Sequence, residues 1–176
     1  MRFTSLDIEG AWTVEPEPFR DERGWFARVF CEETFAGHGL ETHFPQHSLS
    51  CSRKKNTLRG MHYQRAPHAE TKLVACLQGA VFDVLVDLRP HSPTYLRWTG
   101  VELSAENGAQ VYIPEGCAHG FQTLTDDVLI RYMISRAYAP GHAAGLRHDD
   151  PAIGIEWPAE PGVMSDKDRD WPLLQP

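Results

Sequence analysis

The feature that most constrains this chain is a succession of short apolar segments that alternate with polar residues and end in Gly- or Pro-rich turns. In VLIRYMI (128–134), Val128, Ile130, Tyr132 and Ile134 fall on one side of an extended strand, and Arg131 and the following Ser135 on the other. In VFDVLVDL (81–88), Phe82, Val84, Val86 and Leu88 share one face, and Asp83 and Asp87 take the other. A period of two is the mark of a strand rather than a helix. KLVACL (72–77), VEL (101–103) and VYI (111–113) add shorter strands. QG at 78–79, RPHSPT at 89–94, AENG at 105–108, PEG at 114–116 and APGH at 139–142 separate them. Helical periodicity is nearly absent, and only CEETFAGHG (31–39) suits a brief helix. This pattern predicts an all-β antiparallel barrel or sandwich with short peripheral helices. No repeat, low-complexity stretch or long linker divides residues 1–176, so one domain is expected. The part from about residue 148, rich in Pro and Asp, is expected to wrap the barrel.

A chain of 176 residues with 41% hydrophobic and 10% aromatic content can bury one sizeable core. Its formal net charge of −7 argues against a general nucleic-acid binder, which presents a basic face. The RKK run at 53–55 reads as a solvated loop. No apolar run reaches the length of a membrane span, and MRFTSLDIEG lacks a secretory signal's pattern. Cys31, Cys51, Cys76 and Cys117 form no CxxC and read as reduced thiols of a cytoplasmic protein. The five tryptophans suit core, rim or subunit contacts.

Four ionisable groups occupy positions that strand logic makes unusual: His62 in LRGMHYQ, Lys72 opening KLVACL, His119 in PEGCAHGF, and Tyr132 on the apolar side of its strand. Each alone could be a satisfied core residue. Four inward polar groups together need pairing or water, and a ligand cavity in a barrel mouth provides both.

PEGCAHGF has the Pro-x-Gly-x-x-His pattern and resembles the second motif of the cupin superfamily. The matching first segment reads HYQ, without the second histidine of a metal-binding pair, and His68 and Glu70 follow only beyond a proline. No complete metal triad is evident. The resemblance extends further. DERGWF (21–26), TLRGMHYQ (57–64), residues 69–95, residues 103–124, DPAIGIEWP (150–158) and SDKD (165–168) look like the dTDP-4-dehydrorhamnose 3,5-epimerase family, in the family's order. That resemblance implies a jelly-roll cupin, a homodimer, no metal or organic cofactor, and a nucleotide-linked 4-keto-6-deoxy sugar as substrate.

Such chemistry removes a weakly acidic C–H beside a ketone. It needs a base, a group that orients the base, a stabiliser for the enolate oxygen, and an acid on the opposite face. The resemblance implies His62 as base with Asp168 as its partner. Lys72 suits the enolate oxygen and Tyr132 the acid, with a neighbouring cation easing proton release. His119 is expected to line the sugar site, with Gln46 and Ser48 as polar contacts. Arg59 and Arg23 suit the diphosphate, and Phe26 and Tyr138 suit packing against sugar or base. In the family the DERGWF segment reaches into the partner's site, so Arg23 and Phe26 are expected to act there. Strict alternation puts Arg59 and His62 on opposite faces, so sharing a pocket requires a bulge, and Gly60 permits one.

The sequence also departs from the commoner family pattern. Arg28 and Met133 stand where glutamate and lysine are usual, and QHSLSCS (46–52) replaces an Asn-bearing stretch. These positions are expected to surround the substrate. Three other readings compete: inversion at C3 or C5 alone, a metal-dependent cupin oxygenase or isomerase using His62 and His119, and a sugar-nucleotide binding module without catalysis.

Overall fold

Two antiparallel sheets face each other in a computed structural model that describes residues 1–174. The first has six strands in the order β1 (Arg2–Ser5), β2 (Trp12–Glu15), β10 (Gln110–Ile113), β7 (Lys72–Gln78), β12 (Val128–Ile134) and β5 (Gln46–Ser52). The second has five, in the order β13 (Ala143–Gly145), β6 (Leu58–Gln64), β11 (Cys117–Thr123), β8 (Ala80–Asp87) and β9 (Trp98–Ser104). A separate hairpin joins β3 (Phe19–Asp21) to β4 (Gly24–Phe26). Two short α-helices accompany them, α1 (Glu32–Gly37) and α2 (Asp166–Arg169), with one 3-10 turn at Pro140–His142. This is the expected jelly roll, and α1 falls inside the segment that suited a helix.

Three apolar layers hold it together. Between the sheets lie Val74, Val81, Leu85, Phe121, Val128 and Ile130, a layer rich in β-branched side chains. Outside the six-stranded sheet, Phe35 of α1 packs with Phe44, Leu73 and Met133. Outside the five-stranded sheet, Met61, Val84 and Val86 are covered by Ile153, Ile155 and Trp157. The expected wrapping segment is therefore a lid on that sheet's outer face.

This third layer changes the meaning of the alternation in β8. Phe82, Val84 and Val86 face outward beneath the C-terminal segment, whereas Asp83 lies on the interior face with Val81 and Leu85. Asp83 and Asp87 are fully buried rather than solvated. Burial on both faces is possible because each carboxylate is paired. Asp87 accepts from Arg89, Ser92 and Thr94, and although burial opposes it, those donors hold its carboxyl far below the ordinary range.

The bulge required at Gly60 is present. His62 pairs with His119 and Arg59 with Phe121, so three steps on β6 match two on β11. One extra residue turns Arg59 and His62 to the same side. Gly60 has φ +139°, and a Cβ there would lie 2.6 Å from Gly120 Cα. Only glycine meets both conditions. Gly60→Ala should destabilise the fold by roughly 3 kcal/mol through backbone strain and overpacking. Urea unfolding should show an earlier midpoint.

Candidate active site

A cavity of about 360 Å³ opens between the two sheets. Gln46, Ser48, Arg59, His62, Lys72, His119, Tyr132, Tyr138 and Asp168, nine of the residues marked out by the sequence, line it together. Arg23 and Phe26 do not. They sit on the exposed β3–β4 hairpin and border a different recess with Phe19, Asp21 and Trp25. Arg23 is bound to Asp21 on the same hairpin.

The cavity is assembled from opposite walls. β6 of the five-stranded sheet supplies His62 and β11 supplies His119. β12 and β7 of the six-stranded sheet supply Tyr132 and Lys72. An imidazole and a phenol thus approach one space from different sheets.

His62 Nε2 lies 2.6 Å from Asp168 Oδ1. A carboxylate can only accept here, so Nε2 carries the proton and the lone pair is left on Nδ1. Asp168 is delivered by α2. Ser165 caps that turn by accepting from the Asp168 N–H at 3.1 Å. The other carboxylate oxygen meets the Gly60 N–H at 3.4 Å. Burial acts to raise the Asp168 pKa, but the His62 contact, the Gly60 amide and Ser165 outweigh it and hold the carboxyl below its ordinary value. Although it lies in a polar turn, its side chain is only 6% exposed.

His119 has a carboxylate partner too. Its Nε2 lies 2.9 Å and 3.0 Å from the two oxygens of Asp83, and both side chains are buried. The His119 ring meets Tyr132 edge-on, with centroids 6.1 Å apart. Lys72 is not a strand-end lysine in water. Its ammonium is 3.1 Å from Glu70 Oε1 and donates to the His62 carbonyl at 3.3 Å. Glu70 in turn accepts from Gln64 Nε2 at 2.7 Å. Arg59 is braced at the mouth by Ser52 Oγ and the Cys51 carbonyl.

Tyr132 corrects one expectation. A nearby cation was to ease its proton release. Burial instead pushes the phenol well above its ordinary value, and Asp83 adds to this. Arg59 and a hydrogen bond with Ser50 favour the phenolate without overcoming those two effects. The phenol therefore stands fully protonated at neutral pH. A second correction concerns Met133, expected near the substrate. Alternation turns it away from Tyr132 into the layer beneath α1. Arg28 is exposed and, like Met133, lines no part of the cavity.

The sequence reading missed Asp83, Glu70 and Ser50 as part of this site. Asp83 was visible as a charged residue inside an apolar strand. Alternation alone does not say which face of that strand meets water. The described residues gather no group of three His, Cys, Asp or Glu side chains suited to a metal. The two cavity histidines are each committed through Nε2 to their own carboxylate. This donor set does not fit the metal-dependent reading.

Comparison with known proteins gives the family of this chain. A family model described as dTDP-4-dehydrorhamnose 3,5-epimerase matches residues 5–176. The dTDP-4-dehydrorhamnose 3,5-epimerase of Sinorhizobium fredii is 46% identical over 175 residues, covering 99% of this chain and 90% of that one. The solved dTDP-4-dehydrorhamnose 3,5-epimerase of Bacillus anthracis, with TDP and PPi bound, superposes with a TM-score of 0.95 at 38% identity. It covers 98% of this chain and 99% of that one. The dTDP-6-deoxy-D-glucose-3,5-epimerase of Legionella pneumophila, solved with dTDP-4-keto-L-rhamnose, gives 0.88 at 38% identity, over 95% and 89% of the two chains. The fold and the relatives are those of an isomerase. This chain belongs to the dTDP-4-dehydrorhamnose 3,5-epimerase family.

The depressed Asp168 pKa has a consequence for stability. A carboxyl titrating lower in the folded than in the unfolded chain stabilises the fold above its unfolded value and loses that contribution as pH falls through the folded one. Asp168→Asn should cost about 1–3 kcal/mol at pH 7. The gap to the unaltered protein should narrow below roughly pH 4. Urea titrations at several pH values would measure it.

Proposed function

We propose that this chain epimerises a dTDP-linked 4-keto-6-deoxy sugar at both carbons flanking the ketone, without a cofactor. The observation that carries this reading is the placement of His62 and Tyr132 on opposite sheets around one cavity, the imidazole oriented by Asp168. His62 Nδ1 takes the proton from the carbon beside the ketone. The C–H electron pair moves into a new C=C bond, and the carbonyl becomes an enolate. Lys72 places its ammonium beside that oxygen, where a fixed positive charge counts most in a partly enclosed site. Tyr132 gives its proton to the other face of the carbon, which inverts the centre. The imidazolium and the phenolate then return to their starting states by exchange with water.

The electrostatics support these roles. Asp168 stabilises the imidazolium that forms and keeps the lone pair on Nδ1 beforehand. Burial and Asp83 keep Tyr132 loaded with its proton, while Ser50 and Arg59 soften the cost of the transient phenolate. Arg59 holds the diphosphate with Gln46 and Ser48 beside the sugar, His119 contacts the ring, and Tyr138, largely exposed at the rim, packs on the nucleoside. The exposed aromatic hairpin β3–β4 completes the site of a second copy in a homodimer through Arg23 and Phe26. Residues 1–176 act as one unit, in the cytoplasm. Among the described residues no helix is long and apolar enough to cross a membrane.

Incubation with dTDP-4-keto-6-deoxyglucose in deuterated water should place deuterium at both carbons beside the ketone, read by NMR. His62→Ala should lower that exchange by about 10³-fold. Tyr132→Phe should keep exchange yet lose net inversion by about 10²-fold, because the proton is returned only from the His62 side. Undiminished exchange in His62→Ala would rule out His62 as the base. Exchange at a single carbon would replace double inversion by a single one.

A further inference from the structure

α2 has four residues, one turn, and a helix of that length has no stability of its own. Something outside it must hold Asp168 against His62. Three residues beyond Asp168, the Trp171 ring lies against Gly145. A Cβ added at Gly145 would come within 2.3 Å of Trp171 Cε2, so the ring occupies the space a side chain would fill. Gly145 is the β13 residue paired in register with His62 on β6. The strand position beside the base is thus left empty, and an aromatic ring from the Asp168 segment fills it.

Two further contacts bound the ring. The His62 imidazole meets it edge-on with centroids 6.3 Å apart, and Lys167 of α2 places its ammonium 5.2 Å from the ring centroid. The indole N–H is buried and has no acceptor among the described residues. The ring is therefore seated by shape and not by a hydrogen bond.

We infer that Trp171 is a positioning residue: wedged on Gly145, it fixes α2 so that Asp168 holds the His62 imidazole in register. The inference rests on the reading of His62 and Asp168 as base and orienting carboxylate. If Trp171 acts through Asp168, its effect must vanish when Asp168 no longer orients the imidazole.

The test is a cycle of Trp171→Ala, Asp168→Asn and the double variant, assayed by deuterium exchange of the 4-keto sugar nucleotide. Trp171→Ala should lower kcat about tenfold with KM changed less than twofold. In the double variant the loss should match that of Asp168→Asn alone. Gly145→Ala, which displaces the ring from the other side, should reproduce the Trp171→Ala loss. Trp171→Phe, which keeps a ring on the glycine, should retain activity within about threefold. These two variants carry the test if Trp171→Ala does not fold. Full additivity of the two losses, an unchanged kcat in Trp171→Ala, or full activity in Gly145→Ala would overturn the inference. His62→Ala is the separate check on the underlying reading: continued exchange there would remove the base itself, whereas additivity in the cycle would remove only the wedge.

Discussion

The site depends on one contact, the 2.6 Å hydrogen bond between His62 and Asp168 across 106 residues of sequence. It decides which nitrogen of the imidazole carries a proton, and hence which can accept one. It also ties the cap of α2 to a bulge in β6, because the same carboxylate meets the Gly60 N–H. The local geometry on both sides serves that contact. Ser165 gives α2 its first turn, and Gly60 supplies the backbone conformation that turns Arg59 and His62 together.

Charge balance around the cavity follows a related logic. Each buried carboxylate there has a basic partner: Asp83 with His119, Glu70 with Lys72, Asp168 with His62. Unpaired, any of them would be costly in so enclosed a place. The arrangement leaves Tyr132 as a neutral group near an anion, which favours its protonated form. A wall of alternating partners thus keeps strong net charge out of the barrel.

Much of this was legible from strand periodicity. The sidedness of Tyr132 in VLIRYMI follows from counting by two, and it lands on the cavity as expected. The conflict between Arg59 and His62 was legible as well, with Gly60 marking where the strand had to yield. The face of Asp83 was not, because alternation separates two sides of a strand without saying which is wet. Here both sides are dry, since the segment carrying Ile153 and Trp157 covers the outer one. The pairing of Asp168 with His62 lay beyond spacing altogether: no local pattern relates a polar turn to a distant strand, and only the family resemblance suggested it. The tyrosine's acidity was misjudged because burial outweighs a single nearby cation.

The lid over the five-stranded sheet bears on the order of synthesis. Every strand of the barrel through β12 is complete at Ile134, well before Asp168 is added. At about 5–20 residues per second, a ribosome takes roughly 2–7 seconds to travel from Tyr132 to Asp168. During that interval the nascent chain possesses the imidazole, the phenol and the ammonium without the carboxylate that meets His62. The carboxylate that meets His62 is therefore made after every strand of both sheets.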